Sequence, residues 1–114
     1  MKNTSQLYLV LTKQWFTEIL EGRKTEEFRD FTDFYINRLC ELNEEGEIID
    51  TKKYDTVKFQ MGYSKNAPQM IVEIKDIIIE TDEEVDLEKG DLLTTENCNF
   101  TILLGKILEK INID

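Results

Sequence analysis

Apolar and polar positions alternate loosely through residues 7–12, a stretch rich in strand formers, so the chain is predicted to open on a β-strand. Thr12 can then cap a helix over residues 13–21. In that helix Trp15, Phe16, Ile19 and Leu20 share one face, while Lys13, Glu18 and Glu21 point to water. Gly22 supplies the left-handed residue that ends it. Residues 25–29 read as a short strand, and Thr32 can cap a second helix over about 33–42 with Phe34, Tyr35, Leu39 and Leu42 inward. Residues 43–53 form a charged loop. Residues 54–61 alternate with Val57, Phe59 and Met61 on one face, a strand, and residues 62–68 are a turn-rich loop with the only proline. Residues 70–80 read as a long strand with Met70, Val72 and Ile74 on one side, followed by an acidic loop over 81–97. Residues 99–109 fit two periods: Leu104, Ile107, Leu108 and Ile111 suit a helix, whereas Phe100, Ile102 and Leu104 suit a strand. The expected architecture is α+β, a small, partly closed β-barrel with two early helices packed on it.

The length of 114 residues, without repeats or a linker, implies one domain able to bury a core without staples. The absence of histidine rules out Ser-His-Asp and Cys-His relays and imidazole acid-base catalysis. Cys40 and Cys98 cannot by themselves make a four-ligand zinc site; both lie beside apolar residues and read as reduced core cysteines. No metal and no cofactor are expected. The N-terminus lacks the apolar stretch of a secretory signal and no apolar run approaches a membrane span, so a soluble cytoplasmic protein without a membrane partner is expected. The formal net charge of −10 argues against coating long duplex DNA. The charge is uneven: residues 41–50 carry five acids and no base, residues 80–91 seven acids against Lys89, whereas residues 52–75 hold five lysines against two acids. Acidic loops beside a locally basic stretch leave room for a short anionic ligand, or read simply as solvated loops.

The segment Gly22-Arg23-Lys24-Thr25-Glu26-Glu27-Phe28-Arg29 places three bases and two acids directly after a helix stop. In a strand Thr25, Glu27 and Arg29 share a face, and Lys24 joins them only from a turn ahead of that strand, where parity is relaxed. The arrangement reads either as a solvated charged turn or as two cations with one carboxylate beside the first helix.

The pattern Gly22-x-Lys24-x-x-Glu27-x-Arg29, following a strand and a helix that bears Trp15-Phe16 and Ile19-Leu20, resembles the signature of the ASCH (activating-signal-cointegrator homology) family. That family is PUA-like, a small β-barrel associated with RNA, and the likeness extends more weakly through residues 54–80 and 100–109. It implies a closing strand over 99–109 with Gly105 as a bend. It also implies a cleft beside the first helix for RNA or a nucleotide- or nucleoside-like ligand. There Lys24 and Arg29 would meet phosphate or a base edge, and Glu27 would accept from an exocyclic amine or hold the two cations. Tyr63, Tyr35 and Trp15 are candidate stacking surfaces, Trp15 being more often a core position at its spacing, and Lys65 and Asn66 either add contacts from the opposite loop or form a plain surface turn. Some bacterial relatives of this size are amidohydrolases acting on N4-acetylcytidine, in which the lysine matching Lys24 is catalytic; in that reading Lys24 and Glu27 are the catalytic pair. Those enzymes carry threonine where this chain has Glu27, and a carboxylate there favours a charged lysine over a nucleophilic one. A binding module is therefore the first reading, with a small hydrolase or nuclease on the same scaffold and a protein-interaction domain using the acidic loops as alternatives.

Overall fold

A computed structural model describes residues 5–113. The elements follow in the order β1 (Gln6–Leu11), α1 (Lys13–Leu20), β2 (Glu26–Asp30), α2 (Asp33–Leu39), β3 (Cys40–Leu42), β4 (Ile48–Thr51), β5 (Thr56–Met61), β6 (Gln69–Thr81), a 3-10 turn (Leu87–Lys89) and β7 (Cys98–Ile111). The fold is α+β, as the patterning implies: two helices accompany a five-stranded sheet of order β1-β5-β6-β7-β2, and β3 and β4 make a separate ribbon. Among the described residues no helix is long and apolar enough to cross a membrane.

The chain forms two compact units. The first comprises the residues up to Glu27, Lys53–Asp76 and the residues from Leu103 onward. Its core follows from register. β1 runs parallel to β5 with Leu7 opposite Val57 and Leu9 opposite Phe59. β5 runs antiparallel to β6 with Val57 opposite Val72 and Phe59 opposite Met70. Because side chains in a strand alternate faces, these partners form two buried rows, and all six are at most 4% exposed. Phe16 and Ile19 of α1 are buried as well. Gly105 in β7 has a specific packing role: a Cβ there would stand 2.5 Å from Oε1 of Glu73, whose carboxylate accepts a hydrogen bond from the Lys106 N–H at 3.1 Å.

The second unit comprises Phe28–Lys52 and Ile77–Ile102. Phe31 and Phe100 meet at 5.3 Å between ring centroids in its interior, with Leu39, Cys40, Ile77 and Ile102 also buried. Thr51 is buried and donates its hydroxyl to the Ile77 carbonyl at 2.8 Å, and buried Thr101 hydrogen-bonds the Glu80 carboxylate. Both hydroxyls are thereby satisfied.

Several local expectations are refined or changed. α2 stops at Leu39 rather than at about 42, because Cys40 turns extended and Leu42 enters a ribbon with β4. The stretch expected to be a charged loop is therefore largely that ribbon and its turn. Asn43 organises the turn by accepting from the N–H groups of Glu45 and Glu47 at 3.0 and 2.8 Å, while Gly46 takes the left-handed conformation. β7 resolves the ambiguity at 99–109 as a strand that runs on through Gly105, with Phe100, Ile102 and Leu104 buried. Phe34, expected inward, is 60% exposed. The acidic 81–97 segment is likewise built: the Asp86 carboxylate accepts from the N–H groups of Glu88 and Lys89, and Asp91 accepts from the Asp86 N–H.

Phe59 is fully buried between Leu9 and Met70, so Phe59→Ala should cost about 3–5 kcal/mol, read from the shift in a urea unfolding transition. Burial raises the thiol pKa of both Cys40 and Cys98 above its ordinary value, which leaves little thiolate at neutral pH. Both should react slowly with a disulfide reagent in the native protein and rapidly once it is denatured, measured as thiol release against time.

Candidate functional site

The end of α1 determines where the signature residues fall. Gly22, in the left-handed conformation, donates its N–H to the Ile19 carbonyl at 3.1 Å, and the Arg23 N–H donates to the Glu18 carbonyl at 3.0 Å. This is the two-bond helix stop that a left-handed glycine permits. The Lys24 N–H also donates to Glu18 O, at 3.1 Å. The following residue is pinned too, since the Thr25 carbonyl accepts from the Leu104 N–H at 3.0 Å. β2 begins only at Glu26, so Lys24 lies in the turn ahead of the strand, outside its parity.

From there Lys24 reaches Glu27. Its Nζ stands 3.4 Å from Oε1 of Glu27 and 4.9 Å from the centre of the Trp15 ring. Glu27 is buried at 6% exposure, and its carboxylate has the Lys24 ammonium as a charged partner, as burial demands. Trp15 is 44% exposed and not a core residue. The result is an ammonium held between an indole face and a buried carboxylate, with part of the indole left to solvent.

Arg23 takes no part in this group. Its guanidinium turns back onto α1 and binds Glu18, with contacts from 2.7 to 3.2 Å, as well as Glu21. Those hydrogen bonds hold the Glu18 carboxyl below its ordinary pKa. Arg23 is exposed and Glu18 partly so, and the pair secures the helix end without adding much stability.

Arg29, on β2 in the second unit, donates to the Tyr35 hydroxyl at 2.7 Å, with its guanidinium carbon 5.6 Å from the centre of that ring. Tyr35 meets Phe34 edge-on at 5.0 Å, and the Arg38 guanidinium lies 5.5 Å from the centre of the Phe34 ring. The sequence motif does not mark Phe34 and Arg38. Their spacing of four on α2 was the available signal, since it puts a cation over an aromatic face within one helix turn.

Tyr63, Lys65 and Asn66 stand exposed on the loop between β5 and β6, Tyr63 at 86%. That loop is rooted near α1: the Gly62 N–H donates to the Leu11 carbonyl at 3.0 Å, one residue before the Thr12 cap. Asn66 adopts the left-handed conformation at φ 59°, which makes it a turn-forming residue. The structure thus brings Lys24, Glu27 and Trp15 together in one group and Arg29 and Tyr35 together in another. Among the described residues no group of acids and thiols is arranged to hold a metal ion.

The formal charge divides sharply between the units. The first carries ten bases against nine acids, and the second four bases against fifteen acids, a net of +1 against −11. An anionic ligand is repelled far less by the unit that holds Trp15, Lys24 and Glu27.

The chain matches no protein-family model, no curated protein and no solved structure at a significant level.

Proposed function

We propose that the first unit binds single-stranded RNA or a nucleotide-like ligand at Trp15 and Lys24, with Glu27 holding the lysine in place. The observation that carries this reading is the lysine at 4.9 Å from a half-exposed indole, backed by a buried carboxylate at 3.4 Å. An aromatic face beside a fixed cation is the pairing by which single-stranded nucleic acid is held: the base stacks and the phosphate meets the charge. Exposed Tyr63 and Lys65 offer a second aromatic and a second cation on the loop rooted near α1. Arg29 with Tyr35 and Arg38 with Phe34 also pair a cation with an aromatic, but in the strongly acidic second unit, which sets them apart from this site. The reading agrees with the resemblance to the ASCH family and its PUA-like fold, in which the four signature positions would line the ligand cleft.

The same geometry weighs against a lysine-dependent hydrolase. The Lys24 side chain is engaged by the Glu27 carboxylate at 3.4 Å and by the Trp15 ring, an ion pair rather than a presented nucleophile, and Arg23 is turned onto Glu18 and Glu21.

Fluorescence titration of the protein with a short single-stranded oligoribonucleotide should show weak binding with a shallow salt dependence. Trp15→Ala should lower the affinity by about 1–3 kcal/mol, the contribution of one base stack. Lys24→Ala should lower it and also flatten the logarithmic salt slope by about one phosphate contact. Tight binding to duplex DNA, or affinity indifferent to both substitutions, would sink the proposal. In a separate assay, the natural protein should release no acetate from N4-acetylcytidine, followed by the change in nucleoside absorbance; turnover abolished by Lys24→Ala would instead make Lys24 a catalytic group.

A further inference from the structure

The second unit contains a groove of about 690 Å³ that belongs to none of the groups described above. Its apolar lining comes from Phe31 and Ile36, from Leu42 and Ile48 of the β3–β4 ribbon, and from Leu87 and Leu92 of the ordered acidic segment. Leu87 and Leu92 remain 58% and 79% exposed. Apolar residues collected around one concavity, rather than scattered singly, mark a surface that is covered in use. The volume lies in the range of pockets that bury a ligand.

The margin of the groove identifies what covers it. Asp33, Glu47 and Asp91 line it, and among the groove residues there is no base. The unit that contains it carries the net −11. A nucleic acid or an anionic membrane would be repelled. A second copy of this chain would bring the same acidic unit, or the nearly neutral one, and gains nothing from charge. We infer that the groove docks a cationic amphipathic segment of a partner protein, its apolar side chains against the apolar lining and its lysines or arginines against the three carboxylates. This is the groove recognition used for amphipathic helices, and the field of the unit would speed the encounter. The acidic ribbon turn and the acidic segment are then a binding surface, held in shape by the Asn43 and Asp86 hydrogen bonds that order their backbones.

The test titrates the full chain with a fluorescent synthetic peptide of leucine and lysine patterned at helical spacing. A scrambled peptide of the same composition, without an apolar face, is the comparison, and both are read by anisotropy. The patterned peptide should bind and the scrambled one much less. Leu92→Lys changes an exposed side chain and should weaken binding roughly tenfold, as the loss of an apolar anchor does. Glu47→Gln, which keeps the oxygen that accepts from the Asn43 amide, should weaken binding less and reduce its salt dependence. Thermal melts of both variants matching the natural protein would show that the losses arise at the groove. The inference is overturned if the two peptides bind alike, if neither binds, or if well-folded Leu92→Lys binds as the natural protein does. It is equally overturned if only an uncharged apolar dye occupies the groove, or if sedimentation shows the groove buried in a dimer that Leu92→Lys dissociates.

Discussion

The parallel alignment of β1 with β5 is the constraint on which the first unit rests. It puts Leu7 and Leu9 in register with Val57 and Phe59, and β5 passes that register on to Val72 and Met70. Since strand side chains alternate, a slip of one residue would send the whole inner set to the outer face, so the register is held by burial itself. α1 follows β1 after a single residue, and Phe16 and Ile19 can be buried only because β1 delivers the chain where it does. The position of Lys24 depends in turn on where α1 stops. The chemistry of the turn is thus inherited from the packing of leucines more than ten residues upstream.

At that turn the geometry resolves a conflict that the sequence leaves open. A buried carboxylate is costly unless a cation accompanies it, and Glu27 has one because Lys24 sits just ahead of β2, where alternation does not apply. The neighbouring Arg23 is diverted to the helix surface. Two adjacent cations of one motif therefore do different work: one secures a helix end, the other stands between an indole and an acid.

Much of this was legible along the chain because the signals were local. The alternation of Val57 and Phe59, the Thr32 cap and the glycine stop at Gly22 each occupy one turn or one strand, whereas Thr12 holds the N-cap position of α1 without a side-chain cap hydrogen bond. What escaped depended on partners far away in sequence. β3 and β4 are too short to show a period, and Cys40–Leu42 leaves α2 because β4 is there to pair with it. Residues 99–109 satisfied both periods, and the strand prevails because it buries Phe100, Ile102 and Leu104 on one face within the sheet. Phe34 reads as a core residue by type; its exposure shows that composition cannot tell a packing face from an exposed one. The acidic runs looked like solvent-facing filler, yet Asn43, Asp86 and Asp91 fold them into ordered turns. The groove they help to line has no period or motif and exists only in three dimensions.

The first unit draws on three separated stretches of chain, and β1 pairs with a strand some fifty residues later. Contacts so distant in sequence must await loop closure, so folding is slowed by topology rather than by any want of local propensity. During synthesis the earliest strand emerges long before its partner. Leu7, Leu9 and Leu11 must meanwhile wait as an exposed apolar edge, open to unintended strand pairing. Neither unit is complete before β7 has left the ribosome, since each takes residues from it. A nascent chain halted inside the acidic segment would therefore hold no finished unit, and fragments of this protein should behave as fragments rather than as smaller proteins.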